Sequence, residues 1–261
     1  MHTWVPYLMP LGLTLVGFVL LWPVSIGRRD ASIVDAWWAP GFLAQVLFVA
    51  SLTNSLDGRS FLLIGLIAIW SIRLTWVLVR RRIREGVEDP RYTSLRKAWG
   101  DGFWWKSLFI VFVLQGVIQW LIALGPISAL LAGSETLGLL AGAGTVIAIV
   151  GVCLETKADA ELDSFKNSRS GGKLLTSGLR AHLRHPNYVG EIMFWIGVGL
   201  IVAEVSPWGA IISPLVISFF LIKVSGAPML DEHLEASKPE YVEYRRRVPG
   251  FFPKLRRRVA A

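Results

Sequence analysis

The sequence contains a single cysteine, Cys153, among 261 residues. An internal disulfide needs two cysteines and a cysteine-rich metal site needs more, so both are excluded and we expect no bound metal. The sequence also lacks the motifs of common soluble enzymes, since it has no G-x-G-x-x-G, no G-x-x-x-x-G-K-[ST], no H-E-x-x-H and no G-x-S-x-G. Any dinucleotide that binds here is therefore expected to bind without a Rossmann fold.

Long apolar runs dominate what is present. Apolar residues make up 53% of the sequence, and the mean hydropathy is +0.52. They gather in runs of about 20 residues, the length that crosses a hydrocarbon core about 30 Å thick. The predicted spans are Val5–Ile26, Val34–Leu52, Phe61–Val79, Trp104–Leu124, Leu137–Leu154, Tyr188–Ala203 and Trp208–Lys223. The predicted fold class is an all-α integral membrane protein with seven transmembrane helices, surrounded by membrane lipids.

Basic residues are nearly absent from one set of loops. With the N-terminus outside, the segments on the outer side carry one basic residue, Arg59, whereas the other loops and the tail hold most of the 27 lysines and arginines. This asymmetry follows the positive-inside rule and predicts an outside N-terminus and a cytoplasmic C-terminus. The net charge of +8 then reflects topology and attraction to anionic lipid or an anionic cofactor, not nucleic acid. A bacterial inner membrane is the expected location.

Breaks in the apolar pattern predict the organisation of the chain. We expect one membrane-embedded domain over residues 1–261, with a cofactor-binding half from about 137 to 261. Gly125-Pro126 is expected to end the fourth span, because proline interrupts helices. Spans six and seven are joined tightly at Ser206-Pro207, which predicts a helical hairpin.

The stretch L-R-H-P-N-Y-V-G-E-I-M-F-W, from Leu183 to Trp195, is the strongest functional signal. It sets a cluster of polar side chains against the start of an apolar run, and such a cluster suits an anionic cofactor. The alternative is a cytoplasmic flank with a carboxylate favoured at a helix N-terminus. The polar members are Arg184, His185, Asn187, Tyr188 and Glu191.

An acidic helix face follows the fifth span. Glu155, Asp159 and Asp163 are spaced by four residues, so they share one side of a helix. Carboxylates accept hydrogen bonds from ribose hydroxyls, and Lys166 lies near enough along the helix to reach a phosphate. A solvated acidic run is the alternative.

The tail has a pattern of its own. Tyr241 and Tyr244 are three residues apart and share a helix face, and three arginines follow them before V-P-G-F-F-P. An interfacial amphipathic helix with an aromatic anchor is one interpretation. A clamp over a bound nucleotide is the other.

Polar residues near the third and fourth spans suggest a reaction centre. Tyr92 is the only tyrosine in the loop R-E-G-V-E-D-P-R-Y-T-S-L-R-K, and it is a candidate general acid that Asp35 or Gln115 is expected to orient. Asp35 lies at the start of the second span and needs a hydrogen-bond donor. Gln115 and Gln119 share a face of the fourth span and are candidates for that role.

Three arginines of the same region are candidate cofactor contacts. Arg73 lies about two turns before the cluster that contains Arg82, and Arg96 follows in the loop. Arg73 is expected either to snorkel to the interface or to face a polar cavity.

Several of these segments resemble the steroid 5-alpha-reductase superfamily, and most closely its bacterial branch, domain of unknown function 1295. The matching pieces are S-I-V-D-A-W-W, W-S-I-R-L, E-D-P-R-Y, L-Q-G, G-L-R-A-H-L-R-H-P-N-Y-V-G-E-I and Y-V-E-Y-R-R-R-V-P-G-F-F-P. The R-H-P-N-Y-x-G-E core is also similar to sterol reductases and isoprenylcysteine carboxyl methyltransferases. The resemblance implies a seven-helix bundle with NADPH held by the C-terminal region, and hydride transfer to an activated carbon–carbon double bond, commonly the 4-ene of a 3-oxo-steroid.

The resemblance also assigns roles to individual residues. It implies that Asp159 contacts the adenosine part of the cofactor, that Asn187 and Glu191 lie on the nicotinamide side, and that Lys166 and Arg184 neutralise phosphates. The chain departs from the animal enzymes at two positions. Those enzymes carry a glutamate in the second span, where this chain offers only Asp35, and an asparagine where this chain has Glu155.

The leading hypothesis is an NADPH-dependent reductase of a double bond in a hydrophobic small molecule, a steroid or another enone-bearing lipid. The alternatives are an S-adenosylmethionine-dependent membrane methyltransferase and a non-catalytic lipid-binding membrane protein. The candidate catalytic residues are Tyr92, Asp35 and Gln115. The candidate cofactor-binding residues are Arg73, Arg82, Arg96, Glu155, Asp159, Lys166, Arg184, His185, Asn187, Tyr188, Glu191, Tyr241 and Tyr244.

Overall fold

The computed structural model describes residues 4–53, 56–133, 136–168 and 173–252, and every regular element in these ranges is helical. Seven stretches are long and apolar enough to cross a membrane, which confirms the predicted all-α fold class with seven spans. The orientation of the termini stays a prediction. The α-helices are α1 (Val5–Arg28), α2 (Val34–Leu52), α3 (Gly58–Glu85), α4 (Pro90–Trp99), α5 (Phe103–Ser107), α6 (Leu114–Ala132), α7 (Leu139–Asn167), α8 (Pro186–Ala203), α9 (Pro207–Phe219), α10 (Ala227–Ser237) and α11 (Glu240–Arg247).

Contacts gather these helices into two compact units. The first contains the described residues of Met1–Ala148 and Trp195–Ile217, and the second those of Ile149–Phe194 and Ser218–Ala261. Helices α7, α8 and α9 each contribute residues to both units. The prediction of a single domain with a cofactor-binding half stays a prediction.

Local sequence signals set where α3 ends and where α4 begins. Gly86 ends α3 in the left-handed region, with φ of 66°, a conformation that glycine adopts without steric cost. Asp89 then accepts a hydrogen bond from the N–H of Arg91 at 2.9 Å and caps α4, whose first residue is Pro90. Tyr92 is therefore held in the first turn of α4.

The prediction that Gly125-Pro126 ends the fourth span is wrong, because α6 continues to Ala132 with Pro126 inside it. Proline lacks an N–H, so the carbonyl of Ile122, four residues earlier, loses its helical partner. The Ser213 hydroxyl of α9 donates to that carbonyl at 2.6 Å. A neighbouring helix thus satisfies the freed backbone group, as membrane helices containing proline require.

A buried ion pair ties three segments of the first unit together. Arg59 is only 2% exposed, and its guanidinium lies 2.8 Å from Glu204 and donates to the Ile201 carbonyl near the end of α8 at 2.5 Å. Glu204 in turn accepts from the N–H of Ala141 in the first turn of α7 at 3.1 Å. The one basic residue predicted on the outer side is therefore neutralised inside the protein.

In the second unit, α7 and α8 cross at two glycines. A Cβ atom added at Gly190 would lie 2.6 Å from the carbonyl oxygen of Gly151, and one added at Gly151 would lie 2.6 Å from that of Gly190. Backbones this close admit only small residues at the crossing. The crossing places Glu155, one turn further along α7, against Gly190.

Candidate functional site

The three predicted catalytic residues meet in the first unit. The Tyr92 hydroxyl donates to Asp35 Oδ1 at 2.7 Å and accepts from Gln115 Nε2 at 2.9 Å. Tyr92 is 5% exposed and packs in an apolar cluster. Its buried neighbours are Phe18, Ala31, Val34, Phe103, Val111 and Phe112. The phenol therefore has two polar partners in otherwise apolar surroundings, where hydrogen bonds are strong.

Arg91 completes the pairing of Asp35. One guanidinium nitrogen, Nη2, lies 2.9 Å from Asp35 Oδ2, and Nε lies 2.9 Å from Asp89 Oδ1. The guanidinium carbon also lies 5.3 Å from the centre of the Tyr92 ring. Each oxygen of Asp35 thus has its own donor, Tyr92 or Arg91. Neither of the two glutamines suggested by the sequence donates to it.

A second layer of ion pairs holds the turn before α4. Glu88 accepts from the backbone N–H of Ala31 at 2.8 Å and from Arg96 Nη2 at 2.7 Å, and the Asp89 N–H donates to Ser32 Oγ at 2.7 Å. Burial raises the pKa of Glu88, but the Arg96 and Ala31 hydrogen bonds lower it by more. Sequence reasoning missed Glu88 and Asp89, although the run E-D-P-R-Y contains both.

The predicted contacts of Arg82 and Arg96 with a cofactor stay predictions, and the structure gives both residues carboxylate partners. Arg82 pairs with Asp30, and Arg96 pairs with Glu88. Arg73 lies half-buried in α3.

A π-helical segment precedes Gln115. The chain from Leu108 to Val113 is wound as a π-helix, and α6 begins directly after it. Such segments change the rotation of the following residues and recur at functional sites. Gln119, one turn after Gln115, donates instead to the carbonyl of Trp38 at 2.5 Å. Of the two glutamines, only Gln115 reaches the Tyr92 hydroxyl.

In the second unit, Asp231 gathers three of the predicted cofactor residues. Its carboxylate accepts from Arg184 Nη1 at 2.6 Å, lies 2.9 Å from His185 Nε2, and accepts from the Tyr241 hydroxyl. Burial and the adjacent carboxylate raise the pKa of Tyr241. Sequence reasoning missed Asp231. The segment P-M-L-D-E-H-L-E contains three acidic residues and one histidine, and nothing in its pattern marks which of them is buried.

Besides Arg184, the second unit has another cation, Arg180, which was not among the predicted cofactor-binding residues. Its side chain is half-buried, and Nη1 donates to the carbonyl of Ala158 at 3.1 Å. Burial lowers its pKa, against the opposing influence of Tyr244 and Asp159 nearby. The Tyr244 hydroxyl donates to the Arg180 carbonyl at 2.6 Å, which brings α11 to this position.

The remaining predicted residues lie along α7 and the first turns of α8. Glu155 is 2% exposed and Glu191 is 8% exposed. The Tyr188 ring stacks on the ring of His185, with centroids 5.5 Å apart and planes inclined by 18°. Asp159 and Asn187 are half-buried, and Lys166 is exposed.

One buried atom near this cluster lacks a partner. Nδ1 of His185 makes no hydrogen bond to any of the residues that the structure describes, although the side chain is 1% exposed. A buried polar atom of this kind is costly unless a ligand or water satisfies it. The second unit therefore combines cations, buried carboxylates and an imidazole nitrogen with no hydrogen-bond partner among the described residues.

Fold and site together define a polytopic helical membrane protein with a buried tyrosine–carboxylate–amide cluster. Comparison with known families shows that the chain belongs to the family described as protein of unknown function (DUF1295), whose model matches residues 21–248. No solved structure matches the chain.

Three curated relatives are similar to this chain. An uncharacterized protein of Schizosaccharomyces pombe is 25% identical over 96% of this chain and 80% of its own length. The cobalt-zinc-cadmium resistance protein CzcN of Cupriavidus metallidurans is 30% identical over 42% of this chain and 49% of its own length. The nickel-cobalt-cadmium resistance protein NccN of Alcaligenes xylosoxydans xylosoxydans is 27% identical over the same shares. The match thus spans about half of each resistance protein.

Proposed function

We propose that this protein is a membrane-embedded, NADPH-dependent reductase that saturates an activated carbon–carbon double bond in a hydrophobic substrate, such as the 4-ene of a 3-oxo-steroid. The observation that carries the proposal is the Tyr92 hydroxyl, bonded to Asp35 and Gln115 within an apolar cluster. A donor preorganised in apolar surroundings suits an oxygen on which negative charge develops. The resemblance of this region to the steroid 5-alpha-reductase superfamily supports the same reaction.

Each residue of the cluster has a distinct part in the proposed chemistry. Addition of hydride to the β carbon of an enone turns the carbonyl oxygen into an enolate oxygen, and transfer of a proton from solvent water to the α carbon restores the carbonyl and completes the saturation. Tyr92 stabilises that oxygen by rotating its O–H from Asp35 toward the substrate. Gln115 continues to donate to the phenol oxygen, which strengthens the phenol as a donor. Arg91 remains on Asp35, so the carboxylate is not left unpaired.

The residues of the second unit fit an anionic dinucleotide. Arg180 and Arg184 are cations for phosphates, the carboxylates of α7 are acceptors for ribose hydroxyls, and His185 Nδ1 has no hydrogen-bond partner among the described residues. When bound, NADPH supplies the hydride. The residues that would hold it are Glu155, Asp159, Lys166, Arg184, His185, Asn187, Tyr188, Glu191, Tyr241 and Tyr244.

Isotope transfer tests the proposal directly. Purified protein in nanodiscs is incubated with a panel of 3-oxo-4-ene steroids and other enones, together with NADPH deuterated at either face of the nicotinamide. We expect deuterium at the β carbon of a saturated product, from one labelled face only. Absence of labelled product across the panel, in a preparation that binds NADPH, would refute the proposed reaction.

The ion pair of Arg184 with Asp231 keeps a second candidate in view, an S-adenosylmethionine-dependent methyltransferase. Because Asp231 already pairs with Arg184, the site has one fewer cation to bind the phosphates of NADPH. S-adenosylmethionine has no phosphate and needs no such cation. Equilibrium binding of both cofactors to the same preparation separates the candidates. We expect NADPH to bind and S-adenosylmethionine not to compete with it, and the reverse result would favour the methyltransferase.

A further inference from the structure

The outer side of α11 and the residues after it form an exposed basic and aromatic surface. We define the tail surface as Val242, Arg246, Arg247 and Phe252. The side chains of Arg246 and Arg247 are 76% and 72% exposed. Phe252 is 80% exposed, and Val242 is exposed beside the arginines. The tail surface thus presents both apolar and cationic side chains, the combination typical of helices that lie at a membrane interface.

The opposite side of α11 is anchored. Tyr241 and Tyr244 are buried, and their hydroxyls reach Asp231 and the carbonyl of Arg180. The chain after α11 is pinned as well, because the Arg184 N–H donates to the Pro249 carbonyl at 2.9 Å. The tail surface is therefore presented by a held helix rather than by a loose end.

Charge and position favour the bilayer as the partner. Residues 240–261 contain seven lysines and arginines against two glutamates, and the second arginine run, Arg256 to Arg258, lies outside the described residues. The last stretch apolar enough to cross a membrane lies within Pro207–Ser237, and the arginines of α11 follow it closely in the sequence. Basic segments next to a span are attracted to anionic headgroups, whereas aromatic side chains insert at the boundary with the acyl chains.

Helix electrostatics alone account for only part of this surface. Arg247 lies 3.2 Å from Glu243, and cations at the end of α11 complement its dipole. Neither effect accounts for an exposed phenylalanine five residues later.

We propose that the tail surface docks on anionic phospholipid headgroups of the bilayer in which the protein itself sits. Guanidinium groups bind phosphate through paired hydrogen bonds, so Arg246 and Arg247 contact the headgroups. Phe252 inserts beside them. Docking adds to the contacts of Tyr241 and Tyr244 and further restricts local opening of α11.

Hydrogen exchange of the full-length protein in nanodiscs tests this inference. Exchange of peptides covering 240–252 is compared in phosphatidylcholine alone and in phosphatidylcholine mixed with phosphatidylglycerol. We expect slower exchange in the mixed nanodiscs, and loss of the difference at high salt. In R246Q/R247Q the affinity gained from each arginine, roughly fivefold, is gone, so the two lipids give equal exchange.

A matched control removes the same charge elsewhere. Arg80 and Arg84 are exposed residues of α3 in the first unit, and R80Q/R84Q is expected to keep the lipid dependence of 240–252. Equal exchange of the parent in both lipids would overturn the inference, and so would a lipid dependence that persists in R246Q/R247Q. Equal exchange of the parent in both lipids would instead favour a protein as the partner of the tail surface.

Discussion

At the scale of single residues, the hydroxyl of Tyr92 is the group whose removal tests the proposed chemistry. Its hydroxyl makes two hydrogen bonds, one donated to Asp35 and one accepted from Gln115. A phenylalanine keeps the ring in the apolar cluster and removes only the O–H. Asp35 retains Arg91, so the substitution does not leave an unpaired carboxylate.

Tyr92→Phe is expected to lower the turnover rate of enone reduction by about 10²- to 10⁴-fold, the usual range for losing a general acid. The affinity for NADPH is expected to change little, since the predicted cofactor residues of the second unit are untouched. Steady-state kinetics and equilibrium binding measure the two quantities. Tyr7→Phe is a matched control expected to keep the parent rate. A Tyr92→Phe protein with the parent rate would move the role to another group.

Arg184 tests the preference for NADPH over NADH. Arg184→Ala is expected to weaken NADPH binding by more than tenfold, since a lost charged hydrogen bond costs about 1.5–3 kcal/mol. NADH lacks the 2′-phosphate, so its binding affinity should fall by less. Titration of both nucleotides measures the difference.

Arg184 also bonds Asp231 and the Val248 carbonyl, so its loss could disturb the local structure. A control variant must therefore separate a structural effect from the loss of charge. Asp231→Asn disturbs the same ion pair but leaves the guanidinium charge, so it should keep the preference for NADPH. If Arg184→Ala weakens both nucleotides equally, Arg184 serves the fold and not the 2′-phosphate.

At the scale of elements, one hydroxyl joins α6 and α9 at the proline of α6. Ser213→Ala leaves the Ile122 carbonyl, freed by Pro126, without its partner. We expect the free energy of unfolding in bicelles to fall by about 1 kcal/mol, within the range for interhelical hydrogen bonds in membranes. In a Pro126→Ala background the restored N–H bonds the same carbonyl, and the serine substitution should cost less.

Ser51→Ala is the control for this cycle, because the Ser51 hydroxyl is exposed and bonds within its own helix. It should be nearly neutral in both backgrounds. Equal costs of Ser213→Ala with and without Pro126 would show that the hydroxyl does not compensate for the proline.

The turn before α4 should respond to acid. Burial raises the pKa values of Glu88 and Asp89, but hydrogen bonds and charge from Arg96 and Arg91 lower them by more. A carboxyl whose pKa is lower in the folded protein stabilises the fold above its unfolded pKa, about 4 for these groups. The stabilisation is therefore complete above about pH 5 and is lost as the pH falls below about 4.

Hydrogen exchange of residues 86–99, corrected for the intrinsic pH dependence, measures this loss. In Glu88→Gln the segment should be looser at neutral pH and respond less to acid. Glu240→Gln, an exposed carboxyl of α11, should behave as the parent does. Equal protection of this segment at pH 7 and at the acid end would contradict the proposed role of the carboxylates.

At the scale of the whole molecule, the charge asymmetry predicts orientation. Arg59, the one basic residue predicted outside, is buried against Glu204, so it does not weaken the asymmetry of exposed charge. A reporter active only in the cytoplasm should give signal when fused to the C-terminus and none at the N-terminus. A well-expressed but silent C-terminal fusion would exclude the predicted topology.

The number of spans could be predicted from the sequence because bilayer thickness sets the length of every apolar run. The end of the fourth span could not, since Pro126 interrupts a helix only where no other segment supplies the lost hydrogen bond. Ser213, which supplies it, lies 91 residues beyond Ile122, the residue whose carbonyl it bonds.

The residues proposed as the reaction centre also stand out in the sequence, because Asp35 and Gln115 are polar side chains in apolar spans and Tyr92 is the only tyrosine of its loop. The sequence favoured Asp35 or Gln115 as the residue that orients Tyr92, but it did not predict that both bond the Tyr92 hydroxyl. That depends on how α4 folds back on α2 and on where the π-helical segment places Gln115.

The sequence by itself determined the fold class, the seven spans and the types of residue that carry the proposed chemistry, because hydrophobicity and charge act over short stretches of chain. Only the tertiary structure decided which carboxylate meets which cation. Arg184 finds Asp231, 47 residues away, and Arg91 finds Asp35, 56 residues away. A charge buried in apolar surroundings must be paired, but several partners satisfy that demand equally well, and the packing of the helices selects one.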